Sequence, residues 1–185
     1  TLKTIYSIKE KNPGSKIFLL ECSHMSKEQE QFLREKVDIF LNLSNENEIY
    51  ETVLKSKAFG EKLMTLRAID YLEKEKIDFD NLFKISGRYW LNDKFNIDNF
   101  TNDSYTVKRL KNNKVISNFY KLPKRLVLKF KEYLSLVEEE KINEFRVLFT
   151  KFIDGLKDEE VENKEMTDFI GLSGFKSVDG EFLYM

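Results

Sequence analysis

The sequence predicts an α/β fold: an open, mostly parallel sheet with helices on both faces, followed by a mixed α+β C-terminal part. Two observations support this prediction. Helical and strand patterns alternate through the first hundred residues, which is typical of βαβ units. The first clear strand also contains four successive apolar residues, IFLL at 17–20, and such a strand is expected to be covered on both faces, as in a parallel sheet.

Each element of the first half has a local signal. Helices are expected where apolar residues recur at helical spacing or a capping box occurs, at residues 2–9, from the SKEQ motif at 26–29 onwards, and at 46–76 with a break at Gly60. Strands are expected at the short apolar runs 16–20, 37–43 and 82–85. The turn sequence NPGS at 12–15 separates the first helix from the first strand.

The second half has a different pattern. Short strands are expected at 104–110 and 115–120, and two helices follow Pro123, the later one with an apolar stripe. Residues 157–165 have the composition of a charged linker. The last part, 169–184, is expected to form glycine-punctuated strands with a turn at Asp179 and Gly180.

Length and composition exclude several classes of protein. A chain of 185 residues is long enough for one generous domain and too short for two ordinary ones. Its 31 Lys and Arg residues nearly balance 32 Asp and Glu residues, so no bulk field draws it to nucleic acid or to an anionic membrane. A single Cys22 and a single His24 exclude internal disulfides and multi-histidine metal sites. No apolar run approaches the ~20 residues that span a bilayer, and we expect a cytoplasmic protein.

The expected ligand site lies where the parallel strands end. In open α/β sheets, helix N-termini and strand-exit loops with free backbone donors gather there. The third strand exits into Ser86, Gly87 and Arg88, which offer a hydroxyl group, a close approach to the backbone, and a guanidinium group that matches phosphate oxygens. These residues indicate a phosphorylated ligand. The alternative is that Arg88 pairs with a surface carboxylate and Gly87 only relieves a bend.

The same region carries a family resemblance. The segment FKISGRY at 83–89, which follows SKAFGE at 56–61 and a helix, resembles nucleotide-sugar-dependent glycosyltransferases of the GT-A type found in bacterial polysaccharide clusters and large viruses. The opening helix and strand fit the same Rossmann-like fold, and GLSGFKSVDG at 171–180 is similar to the tail of these proteins. The resemblance implies a first strand upstream of Thr1. It also implies a single domain with a nucleotide-binding βαβ half, 1–100, and an acceptor-side half, 101–185.

The sequence departs from this family at the metal-binding motif. GT-A enzymes typically carry Asp-x-Asp near the strand at 82–85, where its carboxylates hold a divalent ion against the donor diphosphate. Here that strand is followed by the SGR segment, and the literal motif of Asp78 and Asp80 precedes it, where a solvated turn is the favoured interpretation. Two alternatives remain for the cofactor. Mn²⁺ or Mg²⁺ is held from elsewhere, or Lys84 and Arg88 stabilise the diphosphate without a metal, which is the alternative we favour.

The resemblance and the residues together predict which side chains form the donor-binding and catalytic site. In the implied reaction an acceptor hydroxyl group attacks the anomeric carbon, negative charge develops on the departing nucleoside diphosphate, and an inverting enzyme also needs a carboxylate base. Candidate bases are Glu144, which could instead be a partner of a helix dipole, and Asp179. The expected residues for binding the donor and its diphosphate are Lys57, Gly60, Glu61, Lys84, Ser86, Gly87, Arg88 and Tyr89. For Lys57 and Glu61 the alternative is an exposed i,i+4 ion pair.

Two functions follow as expectations. The first is a glycosyltransferase that moves a sugar from a nucleotide-sugar donor to a glycan or glycoconjugate acceptor. The second is a non-catalytic nucleotide- or glycan-binding module on the same fold, which agrees with the missing Asp-x-Asp. A nucleotidyl- or phosphoryl-transfer enzyme is disfavoured because no GxxxxGK[ST] loop is present. Cys22 and His24 are expected to be structural, since no third group is identifiable that would orient a nucleophile and its base.

Overall fold

Helices and strands alternate through the first half of the chain, as predicted. The computed structural model describes residues 1–100, 103–138, 143–157, 163–166, 170–175 and 181–185. The helices are α1 (Leu2–Lys11), α2 (Lys27–Arg34), α3 (Asn47–Lys55), α4 (Lys57–Lys74), α5 (Lys124–Leu136) and α6 (Phe145–Lys157). The strands are β1 (Phe18–Glu21), β2 (Ile39–Asn42), β3 (Asn81–Ile85), β4 (Tyr89–Leu91), β5 (Tyr105–Lys108), β6 (Phe119–Pro123), β7 (Asn163–Met166), β8 (Leu172–Phe175) and β9 (Phe182–Tyr184). The protein is therefore a mixed α/β structure.

The described strands form three small sheets. β1 and β2 pair in parallel, with Phe18 opposite Ile39, as a βαβ unit with α2 as its crossover requires. The second sheet has the order β3-β6-β5-β7, in which β6 is antiparallel to both neighbours and β5 is parallel to β7. The third, β4-β8-β9, is antiparallel. The described strands thus do not show one open, mostly parallel sheet, because an apolar run indicates burial of a strand but not the direction of its neighbour.

Local sequence signals explain where several helices begin. The capping box is confirmed: the Ser26 hydroxyl oxygen accepts from the Gln29 N–H at 3.3 Å, and the Gln29 side chain accepts from the Ser26 N–H at 2.9 Å. The expected helix break at Gly60 is wrong. The long helical stretch breaks at Ser56, which ends α3 and caps α4 by accepting a hydrogen bond from the Phe59 N–H, because a serine in extended conformation satisfies donors of the first turn.

Strand β3 separates two clusters of buried side chains. Leu82 packs against the larger cluster, to which α4, α5, α6, β5 and β6 contribute. Phe83 and Ile85 point to the opposite face and pack against the smaller cluster around β4 and β8, as the alternation of side chains along a strand requires. The loop that follows Ile85 therefore begins between the two clusters, and packing on both faces of β3 fixes the position where the loop starts.

Helix α1 is held against β4 by two buried hydroxyl groups. Thr4 Oγ1 lies 2.6 Å from the carbonyl oxygen of Tyr89, and Ser7 Oγ accepts a hydrogen bond from the Leu91 N–H at 2.9 Å. Ser7 also donates to the Thr4 carbonyl oxygen at 2.8 Å, and Ile5 of the same helix is buried. The position of α1 is therefore set by the strand that directly follows the loop at 86–88.

Two expectations for the second half need correction. The strand expected at 115–120 begins only at Phe119, while Val115 forms an isolated bridge with Arg109. Residues 163–166, the first three of which belong to the expected charged linker, form β7 because they pair in parallel with β5; pairing with a distant strand outweighs local composition. None of the helices in the described part of the chain is both long enough and apolar enough to cross a membrane.

Candidate functional site

The loop after β3 meets the first turn of α1. The Thr4 hydroxyl group lies 3.1 Å from the carbonyl oxygen of Gly87, in addition to its contact with the Tyr89 carbonyl. Gly87 is so close to this helix that a Cβ atom there would lie 3.1 Å from Thr1 Oγ1. The sequence predicted that a ligand approaches the Gly87 backbone, and in the structure the first turn of α1 makes this approach.

The first turn of α1 and Arg88 both offer hydrogen-bond donors to an anion. The first N–H groups of a helix have no partner within the helix, and the first turn of α1 has neither an acidic residue nor a side-chain cap. Such an N-terminus favours negative charge. The Arg88 side chain is exposed, and among the described residues no ion pair or hydrogen bond engages its guanidinium group. Among the described residues, no surface carboxylate therefore forms the ion pair with Arg88 that the alternative requires.

Lys84 forms an ionic network at the base of the loop. Its Nζ donates to Glu61 Oε1 at 2.7 Å, to Ser86 Oγ at 3.0 Å and to the Ser117 carbonyl oxygen. Lys84 lies opposite Tyr120 in the pairing of β3 with β6, on the sheet face that α4 covers, and for this reason Glu61 of α4 can reach it. Burial, and secondarily the Glu61 charge, raises the pKa of Tyr120. Three of the predicted residues thus come together, in a network that positions Ser86.

The other three predicted donor-site residues lie in different surroundings. Lys57 is exposed at the first position of α4. Gly60 is buried against α3, and a Cβ atom there would lie 2.7 Å from Val53 Cα, so the close contact between the two helices requires glycine. The Tyr89 ring is buried in the smaller core cluster, and it is the backbone of Tyr89 that contacts α1.

The candidate base Glu144 has no contact with this loop among the described residues. Glu144 precedes α6, and its carbonyl oxygen accepts the first hydrogen bonds of that helix. Its carboxylate accepts from Arg146 at 3.0 Å and from Lys114 at 3.3 Å, and these bonds hold the pKa of Glu144 below its ordinary value. A general base works best with a pKa near the operating pH, which this environment opposes. Asp179 lies outside the described residues.

A shallow groove lies on the other side of the α1 N-terminus, at the exit of β1. Its volume is about 530 Å³, and α1, the loop after β1 and α2 line it with Leu2, Ser23, His24, Met25, Glu28, Gln29, Phe32 and Leu33. The His24 and Tyr50 rings contact each other in a tilted arrangement, with 4.3 Å between ring centroids. Burial, and then neighbouring carboxylates, raises the pKa of Cys22, so the thiol is held protonated. Both observations agree with the structural roles expected for these residues.

The carboxylates of the literal Asp-x-Asp lie in a solvated turn. Asp78 is exposed and bonded to Lys124 Nζ at 2.6 Å, and this bond lowers the pKa of Asp78. The carbonyl oxygen of Asp80 accepts from the Lys124 N–H at 2.8 Å. Across the described ranges, no group of three or more His, Cys, Asp or Glu side chains is arranged to hold a metal ion.

Sequence reasoning missed the contribution of α1 to the site. Thr4 and Ser7 lie on the same helix face as Ile8 and are buried. A hydroxyl group on the apolar face of an amphipathic helix needs a partner inside the protein, and this pattern was the available signal. It predicts a polar contact for α1, although not that the partner is the loop at Gly87.

Comparisons with known proteins give no family for this chain. No protein-family model matches the sequence, and no curated protein matches it.

Proposed function

We propose that the protein is a glycosyltransferase that moves a sugar from a nucleotide-sugar donor to a glycan or glycoconjugate acceptor. The observation that supports this most directly is the contact of the first turn of α1 with Gly87, next to the exposed Arg88. In this proposal the donor diphosphate binds at the loop, where helix N–H groups and the guanidinium group face its charge.

Charge development decides which groups contribute to catalysis. When the acceptor hydroxyl group attacks the anomeric carbon, the bond to the diphosphate breaks and negative charge grows on the leaving group. Donors already directed at that position then stabilise the transition state. Arg88 has this role in the proposal, whereas Lys84 is matched by Glu61 at 2.7 Å and acts by positioning Ser86. A divalent ion would act on the same charge, so the assays below are run with Mn²⁺ and with EDTA.

We also propose that β1, β2 and β3 belong to one open sheet. Both β1 and β3 pack on α4: the Phe18 and Tyr71 rings lie 5.3 Å apart, and Leu82 shares the larger cluster with Ile69. The side chains of β1 and β3 are only half-buried, whereas those of β6 are buried throughout. A further strand between β1 and β3 would pair with the backbone groups at the edges of both strands and continue the parallel pairing of β1.

A non-catalytic nucleotide- or glycan-binding module is the second candidate. The environment of Glu144 favours it, since two cationic partners lower the pKa of this candidate base. In a module of this kind Arg88 and the α1 N-terminus would bind a diphosphate without any acceptor being activated. Hydrolysis or transfer of the donor sugar separates the two candidates, because a binding module shows neither with Mn²⁺ or with EDTA.

The test is thermal unfolding in the presence of UDP, GDP, CDP and their glucose or mannose conjugates. A nucleotide at about 100 times its Kd stabilises a protein by about 2.7 kcal/mol, which raises Tm by about 5–10 °C for a chain of this length. We expect such a shift with at least one nucleotide, and we expect Arg88→Ala to reduce it by about half, since a lost bidentate contact weakens binding about tenfold.

Arg125→Ala is the matched control, because Arg125 lies on α5 and bonds to the carbonyl oxygen and carboxylate of Asp103. It removes the same charge and should leave the nucleotide-induced shift unchanged. If no nucleotide raises Tm, or if the two variants respond alike, a diphosphate site at Arg88 is refuted.

A further inference from the structure

The outward face of the β4-β8-β9 sheet carries a cluster of aromatic rings. Trp90, Phe175 and Phe182 contact one another, with ring centroids 5.5–5.9 Å apart. The strand registers pair Trp90 with Ser173 and Phe175 with Phe182, so these residues share one face of the sheet. Residues that alternate with them, such as Leu172, belong to the core on the opposite face. The three rings, called the aromatic face below, therefore do not belong to the hydrophobic core.

The size of the aromatic face fits a small ligand better than a protein partner. The exposed fraction is 47% for Phe175, 52% for Phe182 and 46% for the neighbouring Tyr184. With aromatic side chains of about 200 Å² each, Phe175, Phe182 and Tyr184 together expose roughly 300 Å², less than half of the ~800 Å² that each partner contributes to a stable protein interface. Exposed apolar patches of this size often have a binding function.

The chemistry of the aromatic face fits a sugar ring. On this face of the sheet, the large side chains of the described strand residues are all aromatic. The three rings are tilted by 42–68° to one another, so each offers a separate π-surface to the C–H face of a pyranose, while the sugar hydroxyl groups need polar partners at the border. Lys3 lies over the Trp90 ring, with its Nζ 3.6 Å from a ring centroid, and covers this side of the indole. Its ammonium group offers hydrogen-bond donors to a ligand that binds next to it.

The aromatic face is continuous with the candidate diphosphate loop. Trp90 follows Arg88 by two residues, and Lys3 belongs to the first turn of α1, whose Thr4 contacts Gly87. A saccharide on the aromatic face would therefore lie beside a donor bound at the loop. We propose that Trp90, Phe175 and Phe182 bind a saccharide chain and form the acceptor subsite, an inference that rests on the proposed function for the role of acceptor.

The chain offers a direct test, because Trp90 is its single tryptophan. The emission of Trp90 is titrated with cellohexaose, maltohexaose and chitohexaose, with and without UDP. We expect a saturable change with at least one hexasaccharide, and a Kd raised about fivefold or more in Phe182→Ala, whose side chain is half exposed and whose loss should leave the fold intact. Phe175→Ala should have the same effect.

Phe32→Ala is the matched control. Phe32 is 45% exposed on α2, close to the 52% of Phe182, so the control removes an aromatic ring of similar exposure elsewhere. It should leave the hexasaccharide Kd unchanged. The inference is overturned if none of the three sugars changes Trp90 emission, if Phe182→Ala and Phe32→Ala bind equally well, or if light scattering shows a dimer that Phe182→Ala dissociates.

The outcome also separates this inference from the proposed function. Nucleotide-induced stabilisation with no hexasaccharide binding would refute the acceptor subsite and leave the donor site standing. Hexasaccharide binding that depends on Phe182, without any nucleotide effect, would refute the glycosyltransferase and leave the aromatic face as a saccharide site.

Discussion

The contact between α1 and the loop at Gly87 can be tested by removing one hydroxyl group. Thr4 is only 5% exposed, and its Oγ1 lies 2.6 Å from the Tyr89 carbonyl oxygen and 3.1 Å from that of Gly87. Thr4→Val keeps the shape of the side chain but leaves two carbonyl groups without this donor. A buried acceptor that loses its donor costs about 1–3 kcal/mol, and for a chain of this length 2 kcal/mol corresponds to a decrease in Tm of about 4–8 °C.

Thermal and urea unfolding followed by circular dichroism measure this loss. Thr52→Val is the matched control, because the Thr52 hydroxyl group donates to the Glu48 carbonyl oxygen within α3 and is exposed to solvent. Its expected effect is below about 0.5 kcal/mol. We also expect Thr4→Val to reduce nucleotide-induced stabilisation, since the loop would no longer be held to the helix. If Thr4→Val is as stable as Thr52→Val, the hydroxyl group does not fix the loop and the reasoning fails.

Two further predictions concern α4 and α6. Gly60→Ala places a Cβ atom 2.7 Å from Val53 Cα and should lower the free energy of unfolding by about 1–3 kcal/mol, whereas Gly155→Ala meets nothing within 4 Å and should raise it by about 0.5–1 kcal/mol. Urea midpoints that move in the same direction for both variants would contradict the close-packing role of Gly60. Glu144→Gln tests the ion pair with Arg146: because folding lowers the pKa of Glu144 from 4.5, the carboxylate contributes stability at neutral pH that is lost as the pH falls below 4.5. The wild type should therefore be more stable than Glu144→Gln at pH 7, with the difference shrinking by pH 3, and a difference that is unchanged at pH 3 would contradict this assignment.

Local signals were sufficient where a few adjacent residues determine the structure. The capping box of Ser26 and Gln29 involves residues three positions apart, so the start of α2 could be predicted correctly. The break at Ser56 could not be distinguished from one at Gly60, because helix propensity penalises glycine whereas the packing of Gly60 against Val53 depends on a contact between two helices.

Long-range pairing was the part that the sequence did not determine. The strand β7 has the composition of a linker and forms because β5 provides its partner. The site shows the same limit: alternation along β3 did not by itself determine which sheet face carries Lys84, since that depends on where Glu61 of α4 lies. The position of Arg88 at a strand exit was predictable, because it depends only on β3 and the turn after it.

The attachment of α1 to β4 has an energetic consequence for ligand binding. Thr4 and Ser7 attach the helix to β4 through buried hydrogen bonds. The position of the Gly87 backbone is therefore fixed by contact with a rigid helix as well as by contacts within the loop. A preorganised loop loses little conformational entropy when a ligand arrives. Affinity at this position would accordingly be governed by the charges that surround the ligand, with little contribution from ordering of the chain.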